Sequence, residues 1–139
     1  MKIGDIIEWS RLFTMDDAQN FTSISKDEGE HHLVPDGQGR IIIQGLLTAT
    51  LPTRVGGALN FLARNMTFEF LKPVYVQDTI TCTVTIVELR ESRHGTRMKA
   101  DILCKNQKGV EVLSGSTSGV ILKALSEVLD SPVPQLNSI

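Results

Sequence analysis

The segment GLLTATLPTRVGGAL, residues 45–59, decides the fold. Leu46, Leu47, Ala49, Leu51 and Val55 make it apolar almost all the way round. A helix with so little polar face is a buried one. It is expected to open at Gly45 and run through about Val55. Pro52 sits inside it and should kink it or free the Thr48 carbonyl. Gly56 and Gly57 are expected to end it.

What surrounds such a helix is read from the rest of the chain. Leu62 to Phe70 is a strand, and residues 72–78, KPVYVQD, form a turn region. Thr79 to Arg90 alternates, with Ile80, Cys82, Val84 and Ile86 on one face. Arg97 to Asn106 follows, with Met98, Ala100, Ile102 and Cys104 inward. NQKG at 106–109 is a hairpin turn, and Val110 to Lys123 is the last long strand. Four consecutive antiparallel strands expose an apolar face that something must cover. The apolar helix is the one candidate long enough. The class is α+β, a curved antiparallel sheet wrapped around one central buried helix. It occupies residues 1–125, and residues 126–139 form a loose or surface-packed tail.

Upstream, a short strand precedes a helix that Thr14 can cap, with Asp17 completing a capping box. Met15, Ala18, Phe21, Thr22 and Ser25 share a face of that helix, which should stop by about Ser25. Ile41 to Ile43 form a short buried segment.

Composition narrows the function classes. The 139 residues carry 14 basic and 16 acidic side chains, a net charge of −2, which lacks the basic excess of a nucleic-acid binder. No apolar run reaches the roughly 18 residues of a membrane span. Asp5 and Glu8 stand where a signal peptide would be apolar, so a cytoplasmic location is expected. Cys82 and Cys104 read as buried thiols rather than a disulfide framework.

The polar loop SKDEGEHHLVPDGQGR, residues 25–40, gathers Asp27, Glu28, Glu30, His31 and His32 within six residues. The residues alone leave three readings open. One is acid/base work by a carboxylate and a histidine, which titrates near neutrality. Another is a metal held by His31 and His32 with a carboxylate. It is disfavoured because neighbouring histidines in extended chain point to opposite sides. The third is a solvated loop without a role. Gly45 adds a second ingredient. Free backbone N–H groups at a helix start can polarise a carbonyl oxygen and stabilise an enolate.

From about Phe13 to Leu122 the chain resembles the MaoC-like branch of the hot-dog superfamily, and within it the (R)-specific enoyl-CoA hydratases. FTMDDAQNFTSIS is similar to that family's first helix. SKDEGEHH resembles its hydratase loop, S-x-D-x-N-P-x-H, with Ser25, Asp27 and His32 in place. IIIQGLLTATLPT resembles the approach to its buried helix, and MTFEFLKPVYVQDTI its strand and turn, with Lys72, Pro73, Val74, Tyr75 and Asp78 in register.

The resemblance implies a hot-dog fold and a roster of site residues. Asp27 and His32 would bind and activate the water that adds across a 2-enoyl thioester. The Gly45 N–H would hold the thioester carbonyl, and Thr53 would supply a positioning hydroxyl further down the helix. Gln44, Arg54, Arg64 and Asn65 are the further substrate-binding candidates, the arginines because guanidinium suits phosphate oxygens. No metal and no cofactor is expected beyond the CoA that belongs to the substrate. The expected partners are an acyl-CoA or acyl-carrier-protein thioester and a second copy of the chain, a homodimer or a higher homo-oligomer. Nucleic acid and membrane are not expected.

The chain departs from the family pattern in four places. Gly29 and Glu30 replace the loop Asn and Pro, Gln44 replaces the His before the glycine, and the stretch from His32 to Gly45 is about five residues short. Three rivals remain. They are a hot-dog thioesterase, a dehydratase acting on carrier-bound acyl chains, and a non-catalytic acyl-CoA binding protein.

Overall fold

The computed structural model describes residues 1–139. The chain runs through strand β1 (Ile6–Leu12), helix α1 (Met15–Ser25), a one-turn helix α2 (Glu30–Leu33) and the helical pair α3 (Gly45–Thr48) and α4 (Thr50–Ala58). Strands β2 (Phe61–Phe70), β3 (Thr79–Ser92), β4 (Gly95–Lys105) and β5 (Glu111–Ile121) follow, then helix α5 (Leu125–Asp130). The strands form one five-stranded sheet in the order β1-β3-β4-β5-β2, and every neighbouring pair is antiparallel.

The apolar alternation of β3 and β4 sets the inner face. Ile80, Cys82, Val84 and Ile86 are buried, as are Met98, Ala100, Ile102 and Cys104. Leu47, Leu51 and Val55 of the helical pair join the same core cluster. Cys82 and Cys104 stand opposite each other across the ladder, both buried and free. The Cys104 thiol beside it, together with burial, pushes the Cys82 thiol well above its ordinary range, so it stays protonated.

The central helix is interrupted at Ala49, as Pro52 leads one to expect, and departs from its expected course only at its end. The proline ring excludes the carbonyl four residues back, that of Thr48, so the disturbance falls one turn upstream. The helix runs through Gly56 and Gly57 and ends beyond them. Asn60, at φ 53°, takes the left-handed position that turns the chain into β2.

Thr14 caps α1 as expected. Its hydroxyl accepts the Asp17 N–H at 3.2 Å while the Asp17 carboxylate accepts the Thr14 N–H at 2.9 Å. The same carboxylate takes a 2.6 Å hydrogen bond from Arg11.

The C-terminal residues expected as a tail begin inside α5 and pack down. Val128 is buried, and Val133 and Leu136 lie against the core. The Leu12 N–H donates to the Ile139 carbonyl and the Ile139 N–H donates to that of Ser10, which occupies the free edge of β1. The opposite edge, β2, is exposed along nearly all its length. No helix is long and apolar enough to cross a membrane.

Candidate active site

The loop after α1 is placed by two short-range devices. Lys26, at φ 60°, closes α1 in the left-handed region, and the Asp27 N–H donates to the Ser25 hydroxyl at 3.1 Å. The Asp27 carboxylate in turn accepts the Gly29 N–H at 3.3 Å, an Asx-type turn. That turn starts α2, a single helical turn that the glycine-rich composition hid. His31 and His32 are therefore on a helix, not in extended chain, and their ring centroids lie 3.9 Å apart. No group of three or more His, Cys, Asp or Glu side chains is arranged to hold a metal ion.

The buried segment 41–43 fixes the histidine. Ile42 bridges to Tyr75, and the Ile43 N–H donates to the Val74 carbonyl at 2.8 Å. The Ile42 carbonyl then lies 2.6 Å from His32 Nδ1. A carbonyl only accepts, so Nδ1 carries a proton, and Nε2 is the acceptor nitrogen whenever the ring is neutral. That Nε2 faces Asp27 Oδ2 at 3.4 Å. His32 is 6% exposed at its side chain and Asp27 47%, so the pair runs from the interior to solvent.

Beside this pair lies a cavity of about 460 Å³. His31, His32, Gly45, Thr48, Phe70 and Lys72 are among its walls. The Gly45 N–H has no backbone acceptor, whereas the Leu47 and Thr48 N–H groups both donate to the Gln44 carbonyl. The cavity thus joins a histidine and an unused N–H donor at the start of the central helix, with the Asp27 carboxylate at the histidine's Nε2 but outside the cavity wall.

The other expected site residues lie elsewhere. Gln44 turns its amide into the interior, is 1% exposed, and donates to the Ala18 carbonyl and the Thr22 hydroxyl of α1. It ties α1 to the start of the central helix, and its Oε1 has no partner. Thr53 is exposed and its hydroxyl donates to the Thr50 carbonyl, with the side chain on a separate small cavity. At about 100° per residue, Thr53 is some 140° around the helix from Thr48, the hydroxyl that does line the His32 cavity. Arg54, about 180° from Gly45 by the same count, stacks 4.3 Å over Trp9 and donates to the Asn137 carbonyl. Asn65 is exposed on the edge strand and accepts from Thr67 at 3.4 Å. Arg64 lines a different cavity on the outer face of the sheet. Thr48, Phe70 and Lys72, which were not among the expected site residues, come from the helix face of Gly45 and from the β2 end that meets it.

No protein-family model matches the chain. The mitochondrial 3-hydroxyacyl-[acyl-carrier-protein] dehydratase of Arabidopsis thaliana is 23% identical over 129 residues, 87% of this chain and 78% of the relative. Among solved structures, the (R)-hydratase from A. caviae superposes with a TM-score of 0.78 at 23% identity, covering 87% of this chain and 97% of the other. The chain has the hot-dog fold. The R-hydratase PhaJ1 from Pseudomonas aeruginosa gives a TM-score of 0.79 at 19% identity, over 88% of this chain and 83% of the other. A MaoC-like dehydratase from Rhodospirillum rubrum superposes as well. The hot-dog domain here therefore has (R)-hydratases and a MaoC-like dehydratase as its structural neighbours, and its candidate site lies between residues 27–32, the start of the central helix and residues 70–74.

Proposed function

We propose that the chain catalyses the addition of water across a trans-2-enoyl thioester to give the (R)-3-hydroxyacyl thioester, or the reverse dehydration. One observation carries the reading. His32 Nε2 and Asp27 Oδ2 face each other at 3.4 Å, and the proton of a neutral imidazole sits on Nδ1 at the Ile42 carbonyl. Both are acceptors, and a water between them can donate one hydrogen to each while presenting a lone pair to the substrate.

The thioester carbonyl accepts the Gly45 N–H. The water oxygen attacks C3, and His32 takes its proton. The charge that develops on the thioester oxygen is held by the Gly45 donor, and the protonated partner returns a hydrogen to C2. The atoms of one water are added and none leaves. In the dehydration sense the same groups remove the C2 proton and the C3 hydroxyl. The names of the Arabidopsis relative and of the hot-dog neighbours support this class of reaction. Thr53, Arg54, Asn65 and Gln44 have no direct part in it.

The open β2 edge, with Leu62, Met66 and Phe70 more than 40% exposed, supports a homodimer formed along that strand. Phe70 belongs to both the edge and the cavity wall, so the pairing would close the site. The test is a coupled assay on a short trans-2-enoyl-CoA that follows enoyl absorbance and free thiol together. Enoyl loss without thiol supports hydration. Thiol release selects the thioesterase, and bound thioester with no turnover selects the binding protein.

A further inference from the structure

The chain has seven arginines, and four of them have partners inside the molecule. Arg11 pairs with Asp17, Arg40 with Asp36 and Arg90 with Glu88, while Arg54 lies over Trp9 and bonds Asn137. The remaining three, Arg64, Arg93 and Arg97, form no ion pair, hydrogen bond or cation–π contact with the chain, and all three line one cavity of about 370 Å³.

Three separate elements bring them there. Arg97 points outward from β4, opposite Val120 of β5. Arg93 sits in the two-residue hairpin loop between Ser92 and Gly95. Arg64 is the extra residue of a β-bulge, since Ala63 pairs with Gly119 and Asn65 with Ser118. A bulge re-aims a side chain at the cost of a ladder position, and here it turns a third cation toward the other two. Ser92, His94 and Ser118 add further hydrogen-bonding groups, and Val120 is the one apolar wall.

On the same outer face Arg90 and Lys99 share Glu88, so carboxylates are used where cations need a structural partner. None is supplied to this cavity. Like charges gathered without a counter-charge favour any anion that enters. The net charge of −2 and the pairing of the other arginines give no extended basic stripe for a nucleic acid. The volume falls in the range of small-ligand sites.

We propose that this cavity binds a phosphate dianion, terminal ester or free, whose acceptor oxygens match three guanidinium forks. The phosphate can be the nucleotide tail of a CoA-type thioester or free inorganic phosphate. The site shares no wall with the His32 cavity; phosphate binding itself is independent of the hydration reading, and its assignment to a CoA tail rests on that reading.

The test is calorimetric titration of the full chain with adenosine 3′,5′-bisphosphate and with inorganic phosphate at matched ionic strength. Wild type is expected to bind saturably. R93Q/R97Q is expected to weaken binding by about tenfold or more. The control K105Q/K108Q, which removes two cations at the far end of β4, should leave affinity within about twofold. The arginine variant relieves like-charge crowding, so it should melt no earlier than wild type. R97Q alone, at an exposed position on the outer face of β4, gives the same readout if the double variant fails to fold. Tighter binding of the bisphosphate assigns the nucleotide tail, and equal binding assigns bare phosphate. Absence of saturable binding by wild type, or equal loss in the lysine control, overturns the proposal.

Discussion

Gly45→Ala separates the chemistry of the site from its fold. A Cβ built on Gly45 falls 2.9 Å from Phe70 Cε1 and 3.0 Å from Cδ1. Ordinary carbon contact begins at about 3.5 Å, so the new methyl overlaps the ring by roughly half an ångström. The ring is the far end of a side chain 54% exposed on an edge strand, so it can swing aside. Against that small cost stands the helix preference of Ala over Gly, up to about 1 kcal/mol. Stability should therefore change by no more than about 1 kcal/mol, a few degrees in Tm for a chain of this size.

Turnover should respond very differently. The methyl enters the same cavity in which the Gly45 N–H would meet a thioester oxygen. Alanine keeps the N–H, so the effect is steric: a thioester oxygen held off that donor forfeits up to the about 10²–10³ in kcat, roughly 3–4 kcal/mol, that one oxyanion donor supplies. The assay is steady-state hydration of a short trans-2-enoyl-CoA, with thermal melts on the same samples. A folded G45A protein whose kcat stays within about threefold of wild type would refute the role given to Gly45.

Three other predictions follow from the same geometry. A Cβ at Gly29 would lie 2.9 Å from His31 Cε1 and 3.3 Å from His32 Cδ2, so Gly29→Ala displaces the histidine pair; kcat should fall by about tenfold or more with Tm nearly kept, and unchanged kcat would show that His32 tolerates the shift. Burial alone would raise the Asp17 carboxyl, but the Thr14 N–H and Arg11 outweigh it and hold it below the ordinary range. Its contribution is present above the unfolded value of about 3.9 and is lost as pH falls through the lower folded value. Asp17→Asn should cost about 1 kcal/mol near neutrality, and the gap between the two melting curves should close as pH drops below about 4. A gap that is constant with pH contradicts this. Light scattering should give twice the 15.3 kDa of one chain, and a monomer at working concentration contradicts the β2 pairing.

The sheet and its core were legible because their signals are local and repeated. Alternation in β3 and β4 assigns a side to each residue, and the Thr14–Asp17 box marks a helix start by spacing alone. Gly45, Asp27 and His32 were legible through resemblance and by chemistry, and the fold brings His32 and Gly45 to one cavity with Asp27 at His32. What was hidden depends on angles and distances that a linear motif does not carry. Thr53 and Arg54 follow Gly45 at plausible sequence offsets, yet helical rotation carries them to other faces. The α2 turn was hidden because its stability comes from the Asp27–Gly29 turn and from the His32–Ile42 bond, not from helix-forming composition. Gln44 was read as a ligand group, but the packing of α1 against the central helix turns it inward.

The measurement that bears most directly on the central claim is the coupled enoyl and thiol assay on wild type and Asp27→Asn. The account predicts enoyl loss without thiol release in wild type and a fall of about 10²–10⁴ in the variant, with its melting temperature close to wild type. Near-wild-type turnover in Asp27→Asn, or thiol release in place of hydration, would contradict it.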